Sequence, residues 1–170
     1  MSQSEVPPST QGSKPAIQLL AILTLCYLVS FAGTEGALKG LGDWYESIHK
    51  PSWAVPNWFF SPAWTLLYGS MGVAIWQVVR STESPVRTRA IATSLFVFQI
   101  ALSGVWPWVF FGAQKFAVST FEVSVLWLLV ALTTWAFFRV RSLAGALMIP
   151  YLFWVSFSAC LNFSIYSLNK

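Results

Sequence analysis

Charge is what this chain has least of. Only 9% of its 170 residues are Asp, Glu, Lys or Arg, where a water-soluble domain carries about 25%. Histidine occurs once, as His49, and cysteine twice, as Cys26 and Cys160. A single imidazole with no thiol, serine or carboxylate at motif spacing leaves neither a zinc site nor a nucleophile paired with a base. His49 therefore reads as a solvated loop residue, although Glu46 stands three positions before it. Both cysteines lie in apolar runs, where a thiol behaves as a small hydrophobe, and no metal is expected. The net charge of +4 is scattered without a basic run, so nucleic acid is excluded as the expected partner.

What fills the chain is 56% hydrophobic residues, 17% of the total being aromatic, for a mean hydropathy of +0.62. An uncharged run of about 20 residues lets a helix cross roughly 30 Å of hydrocarbon. Five such runs occur: between Lys14 and Glu35, Lys50 and Arg80, Arg89 and Lys115, Lys115 and Arg139, and Arg141 and Lys170. Only Glu122 interrupts them. The expected fold is an all-α membrane protein, a five-transmembrane-helix bundle, with helices at about 16–37, 62–79, 90–112, 117–138 and 143–167. The second helix is expected to start near Pro62, where a missing N–H costs nothing. The first run is longer than the apolar core of a signal peptide and is read as a retained helix. Residues 1–15 read as a disordered polar tail and 16–170 as one domain. No repeat of paired halves is visible, against the layout of many secondary transporters.

Lys and Arg divide six against four between the two sides of this arrangement. That weak bias points to a cytoplasmic N-terminus in a bacterial inner membrane, or to the mitochondrial outer membrane if the chain is eukaryotic.

Only the first connection, 38–61, is long enough to have structure of its own. It contains "WYESIHKPSWAVPNW", dense in tryptophan and proline. Trp44, Trp53 and Trp58 could form an interfacial belt, as could Trp127 and Trp135 further on. Proline stiffness and aromatic density together favour a preordered lid built on Trp44, Trp53, Pro51 and Pro56.

Polar residues inside spans each need a partner or water. At 100° per residue, Tyr151, Trp154, Ser158 and Asn162 share a face. So do Gln99, Ser103, Trp106 and Phe110, the series Trp64, Tyr68, Gly72 and Trp76, and the series Tyr27, Ser30 and Thr34. Taken singly, each stripe is explained by ordinary helix packing. Taken together, they suit a cavity for a large apolar ligand, with tryptophan faces to stack on a planar ring and Tyr68, Ser158 and Asn162 to orient it. Glu122 is expected to be protonated or paired, with Ser103 or Gln99 as candidate partners.

The stretch "WYESIHKPSWAVPNWFFSPAWTLLYGSMGVA" and the ending "PYLFWVSFSACLNFSIYSLN" resemble the two long signatures of the tryptophan-rich sensory protein family, bacterial relatives of the mitochondrial translocator protein once called the peripheral benzodiazepine receptor. The resemblance covers nearly everything after residue 16. It implies a commonly dimeric bundle in the lipid bilayer that binds porphyrins and sterol-like or drug-like molecules in a pocket closed by the first loop. No cofactor is built in; a porphyrin would be ligand or substrate. Some bacterial members resemble photo-oxidases that break down protoporphyrin through two tryptophans, which match Trp64 and Trp154. The implied wall also takes in Tyr68, Phe110 and Ser158. Ser103, Pro107, Glu122 and Ser158 stand where the family usually has Asn, Ser, Asp and Ala. Leu161, Tyr166 and Lys170 meet the loose spacing of a proposed sterol motif.

Overall fold

The computed structural model describes residues 13–170, and the expected tail largely lies outside the described residues. Six α-helices and one π-helical turn follow in order: α1 (Ser13–Leu38), α2 (Asp43–Ser47), α3 (Asn57–Arg80), α4 (Val86–Pro107), the π-turn (Trp108–Gly112), α5 (Phe116–Val140) and α6 (Ser142–Leu168). This corrects the five-transmembrane-helix count: among the described residues there are six α-helices, and four of the helical segments are long and apolar enough to cross a membrane. The four are α1 from Lys14, α4 with its π-turn, α5 and α6.

Two local effects account for the difference. α2 is a single turn folded inside the first connection, and the composition of a short polar segment gives no apolar signal. α3 has the length, but Asn57, Ser61, Pro62, Thr65, Tyr68, Ser70 and Gln77 dilute its hydropathy. It also opens at Asn57, with Pro56 extended at its N-cap, so Pro62 lies inside the helix. There the ring withholds one backbone N–H near the helix start, where little of the hydrogen-bond ladder is yet committed.

The long helices close a ring in the order α1, α3, α6, α5, α4. Loop 39–56, the π-turn and the end of α6 lie at one end; Ser84 Oγ donates to the Val140 carbonyl (3.0 Å) and Arg141 to Gln77 (2.6 Å) at the other. Outward faces are apolar, for example Leu28, Phe31, Leu66, Phe98, Phe121 and Phe153, each more than half exposed. Without lipid this surface has no solvent it prefers. Cations fold over aromatic rings at both ends, Arg80 on Trp76 and Arg139 on Trp135 at one, Lys39 on Trp108 and Lys170 on Tyr166 at the other. These pairs suit the boundary between headgroup and hydrocarbon.

Small residues let α1 approach. A Cβ on Gly33 would stand 3.6 Å from the Gly104 carbonyl, and one on Gly36 would meet the Trp108 ring at 2.7 Å. Three long side chains then pin α1 through its own or its neighbour's carbonyls: Tyr27 to Thr65 (3.1 Å), Trp108 to Ala32 (2.8 Å) and Trp76 to Pro15 (3.3 Å).

Candidate functional site

Proline decides the shape of the α4 end. Pro107 cannot donate to the carbonyl one turn back, and the chain widens just after it, with the Ala113 amide reaching Trp108 (2.7 Å). The wider turn buries two successive rings, Phe110 and Phe111, at 2% and 4% exposure. Trp106 stacks on Phe110 at 5.2 Å, and Phe111 meets Trp106 edge-on at 5.8 Å.

Loop 39–56 lies across these rings. Trp44 stacks on Phe116 at 5.7 Å and meets Phe110 edge-on at 5.8 Å, while Tyr45, 1% exposed, packs on Phe111 at 5.4 Å. Burial pushes the Tyr45 hydroxyl up to about 12, so it is a neutral donor at physiological pH. The Lys50 ammonium donates to the carbonyls of Tyr45, Glu46 and Ile48 and rides over the Tyr45 ring, knotting the loop from within. Trp53 touches Phe157 edge-on at 5.7 Å but remains 47% exposed, and Trp58 is 71% exposed. Pro51 is half-buried and Pro56 exposed at the loop's far end.

Asn169 holds this loop down. Its side-chain oxygen accepts from the His49 amide (3.0 Å) and its Nδ2 donates to the His49 carbonyl (2.8 Å), a two-bond amide pair between α6 and the loop. Asn169→Ala is expected to speed amide exchange of residues 44–55 by about tenfold, the loss of roughly one net hydrogen bond or more, with little change in the helices. Unchanged exchange in the loop would show that the latch contributes nothing.

Beneath lie two cavities. The larger, about 120 Å³, is bounded by α1, α3 and the α4 end. Its wall holds Trp64, Tyr68, Ser103 and Trp106, and Ser30, Thr34, Ser61 and Thr65 stand at its rim. Tyr68 Oη and Ser103 Oγ share a hydrogen bond of 3.1 Å. The smaller lies under the lid and is lined by Tyr45, Phe110, Ser158 and Asn162, among others. Phe60, Trp106 and Phe111 line both and form the partition between them.

The expected site residues are thus divided. Trp64, Tyr68 and Trp106 face the larger cavity; Trp106, Phe110, Ser158 and Asn162 face the smaller; Trp154 lines a shallow outer groove with Phe59 and Phe157; Tyr151 is fully buried against Trp64 at 6.3 Å and lines none of the three. Trp64 and Trp154 do meet, at 6.1 Å and 84° between planes, edge to face rather than as parallel plates. Tyr45, Phe60 and Phe111 were missed, because an aromatic residue among aromatics offers no contrast; the only signal was the position of Tyr45 within the quoted first motif. Glu122 is buried with neither carboxylate oxygen hydrogen-bonded, so the expected pairing with Ser103 or Gln99 does not form. Leu161 of the sterol spacing faces the core, while Tyr166 sits at the helix end under Lys170. No cluster of three or more His, Cys, Asp or Glu that could hold a metal occurs among the described residues.

Apolar outer faces, cation–aromatic pairs at both ends and an interior walled by tryptophan define an integral membrane protein of the tryptophan-rich class. A family model described as TspO/MBR family matches residues 20–168, and the chain belongs to that family. It is 37% identical over 157 residues to the tryptophan-rich protein TspO of Chlorobaculum tepidum, covering 92% of this chain and 99% of that one. It is 37% identical over 147 residues to a tryptophan-rich sensory protein of Cereibacter sphaeroides, covering 86% and 90% of the two chains. The human translocator protein is 32% identical over 126 residues, covering 74% and 75%.

Proposed function

We propose that this is a membrane sensory or regulatory protein that binds tetrapyrroles of the protoporphyrin or heme type, set in a bacterial inner membrane. The observation that carries the reading is the larger cavity: a wall of Trp64, Tyr68 and Trp106, hydroxyl groups but no charged side chain among its lining residues, and a mouth between α1 and α3. At about 120 Å³ it is too small for a whole macrocycle as it stands, since sites for drug-sized ligands run to about 300–1,000 Å³. A ring would enter edge-first at the mouth, stack on Trp64 and displace the partition of Phe60, Trp106 and Phe111 toward the lid. Burial of a wide apolar face then supplies most of the affinity.

Protoporphyrin IX titrated into the detergent-solubilised protein is expected to quench tryptophan emission saturably. Trp64→Ala weakens binding by about tenfold, the scale of one aromatic stacking contact together with its lost burial. Full affinity in that variant would sink the pocket as described.

A second reading, light-driven oxidation of the bound ring with dioxygen as oxidant, is favoured by the Trp64–Trp154 contact of 6.1 Å. In that reading the excited ring passes one electron to dioxygen, the superoxide formed adds to the ring radical cation, and the paired indoles hold the ring in place for the attack. Illumination separates the two: loss of the porphyrin bands in the unsubstituted protein but not in Trp64→Phe with Trp154→Phe supports catalysis, and equal bleaching rejects it.

A further inference from the structure

The two ends of the bundle carry different cations. All five arginines, Arg80, Arg87, Arg89, Arg139 and Arg141, lie at the end opposite the lid. Lys14 joins them there, since Trp76 on α3 donates to the carbonyl of the next residue, Pro15 (3.3 Å). The lid end has lysines only: Lys39, Lys50, Lys115 and Lys170. Carboxylates follow the reverse pattern. Among the described residues Glu83 is the only one at the arginine end, whereas Glu35, Asp43 and Glu46 stand at the lid end. By cations alone the ends differ little, but six against one acid make a strong positive field where four against three do not.

The arginines meet rings and neutral acceptors. Arg80 lies over Trp76 at 4.9 Å and Arg139 over Trp135 at 5.6 Å, contacts that give their N–H donors no oxygen. Arg141 donates to the Gln77 side-chain oxygen (2.6 Å), one turn before Arg80 on α3. Arg89 reaches the Val79 carbonyl at 3.4 Å, a long bond, and its Nε has no partner. Arg80, Arg87, Arg139 and Arg141 are exposed. A guanidinium fork matches two oxygens of one phosphate, a geometry that an ammonium lacks.

Their distribution indicates the shape of the partner. The six cations sit at the ends of α1, α3, α4 and α5 and immediately before α6, so they run round the ring of helices. A partner docking from one side would meet a few of them. A leaflet of headgroups surrounds the bundle and meets them all. Trp135, 61% exposed on an outward face, sets Arg139 at the depth where hydrocarbon gives way to headgroups.

We propose that the arginine end is a binding surface for anionic phospholipids, with the guanidinium groups forking onto headgroup phosphates. The proposal stands apart from the tetrapyrrole reading, because none of these residues lines either cavity beneath the lid.

The full chain in vesicles of mixed phosphatidylcholine and phosphatidylglycerol tests it, by electron spin resonance of spin-labelled forms of the two lipids. Lipid held against the protein is motionally restricted, and the restricted fractions give a relative association constant. The unsubstituted protein is expected to prefer phosphatidylglycerol by about fivefold, the scale of one cation at an anionic surface. Arg80→Gln with Arg139→Gln brings the preference toward unity. Arg80→Lys with Arg139→Lys keeps the charge, loses the fork and lowers the preference part of the way. Lys115→Gln with Lys170→Gln, at the lid end, leaves it within about twofold. Restricted phosphatidylcholine in the same samples reports that each variant keeps its folded boundary. No preference in the unsubstituted protein, or an equal loss in the lid-end variant, overturns the surface, and full preference in the arginine-to-lysine variant overturns the fork. Displacement of the labelled lipid by inorganic phosphate or by poly-glutamate at physiological salt would assign the arginines to a free anion or to an acidic protein instead.

Discussion

Replacing Gly40 with alanine is expected to lower stability by about 2–3 kcal/mol, the cost of forcing one methyl into a filled space, and Tm by roughly 5–10 °C for a chain of this length. A Cβ there would collide with the Phe111 carbonyl and press on the Trp44 ring at 3.0 Å. A backbone carbonyl at the π-turn cannot swing away as a side-chain tip could. The Gly40 carbonyl also accepts from the Tyr45 amide (3.0 Å), so displacement of one residue loosens the whole lid. Gly42 supplies the control, because nothing lies within 4 Å of its added Cβ. Gly42→Ala, which meets no neighbouring atom, should lower Tm far less than Gly40→Ala. Thermal unfolding followed by tryptophan emission separates the two; similar shifts in both variants would mean that the crowding at Gly40 is of no account.

The second large effect runs the other way. Glu122→Met should raise stability by about 1–3 kcal/mol, because it replaces a buried carboxyl group by an apolar chain of similar length. Glu122 is 8% exposed, and both its oxygens lack a partner. Glu122→Gln keeps polar atoms in the same place and should gain far less. A loss of stability in the methionine variant would reveal that the carboxyl group has a partner that the folded chain alone does not supply. Retaining so unfavourable a group is costly, which makes a gain in Tm accompanied by altered ligand response the informative result.

The contrast between what was legible and what was not follows from the two solvents the chain meets. Hydrocarbon tolerates few charges, so the runs Lys14–Glu35, Arg89–Lys115, Lys115–Arg139 and Arg141–Lys170 mark α1, α4, α5 and α6 without knowledge of any contact. α3 was less legible because Pro51 and Pro56 precede it and Pro62 and several hydroxyl residues lie in its first half, and each reads locally as a break. Pro62 was taken as a start, yet the helix begins at Asn57. After Pro107 the chain forms a π-turn that buries both Phe110 and Phe111.

The site was partly legible for a related reason. Periodicity places Gln99, Ser103, Trp106 and Phe110 on one inner face, and all four are buried. Periodicity cannot say which rings act as a partition, since Phe60 and Phe111 look like any other phenylalanine in an apolar run. Nor can it show that Trp154 turns toward an outer groove while meeting Trp64 only by its edge. Those outcomes depend on how α3, α6 and the π-turn meet, through contacts far apart in sequence.

The way α1 is held has a mechanical consequence. α1 crosses α4 through Gly33 and Gly104, and hydrogen bonds at Pro15, Ala32 and Thr65 tie it to its neighbours. A guest that enters between α1 and α3 would pass the hydroxyl-bearing rim of Ser30, Thr34, Ser61 and Thr65 without crossing the loop over the other cavity.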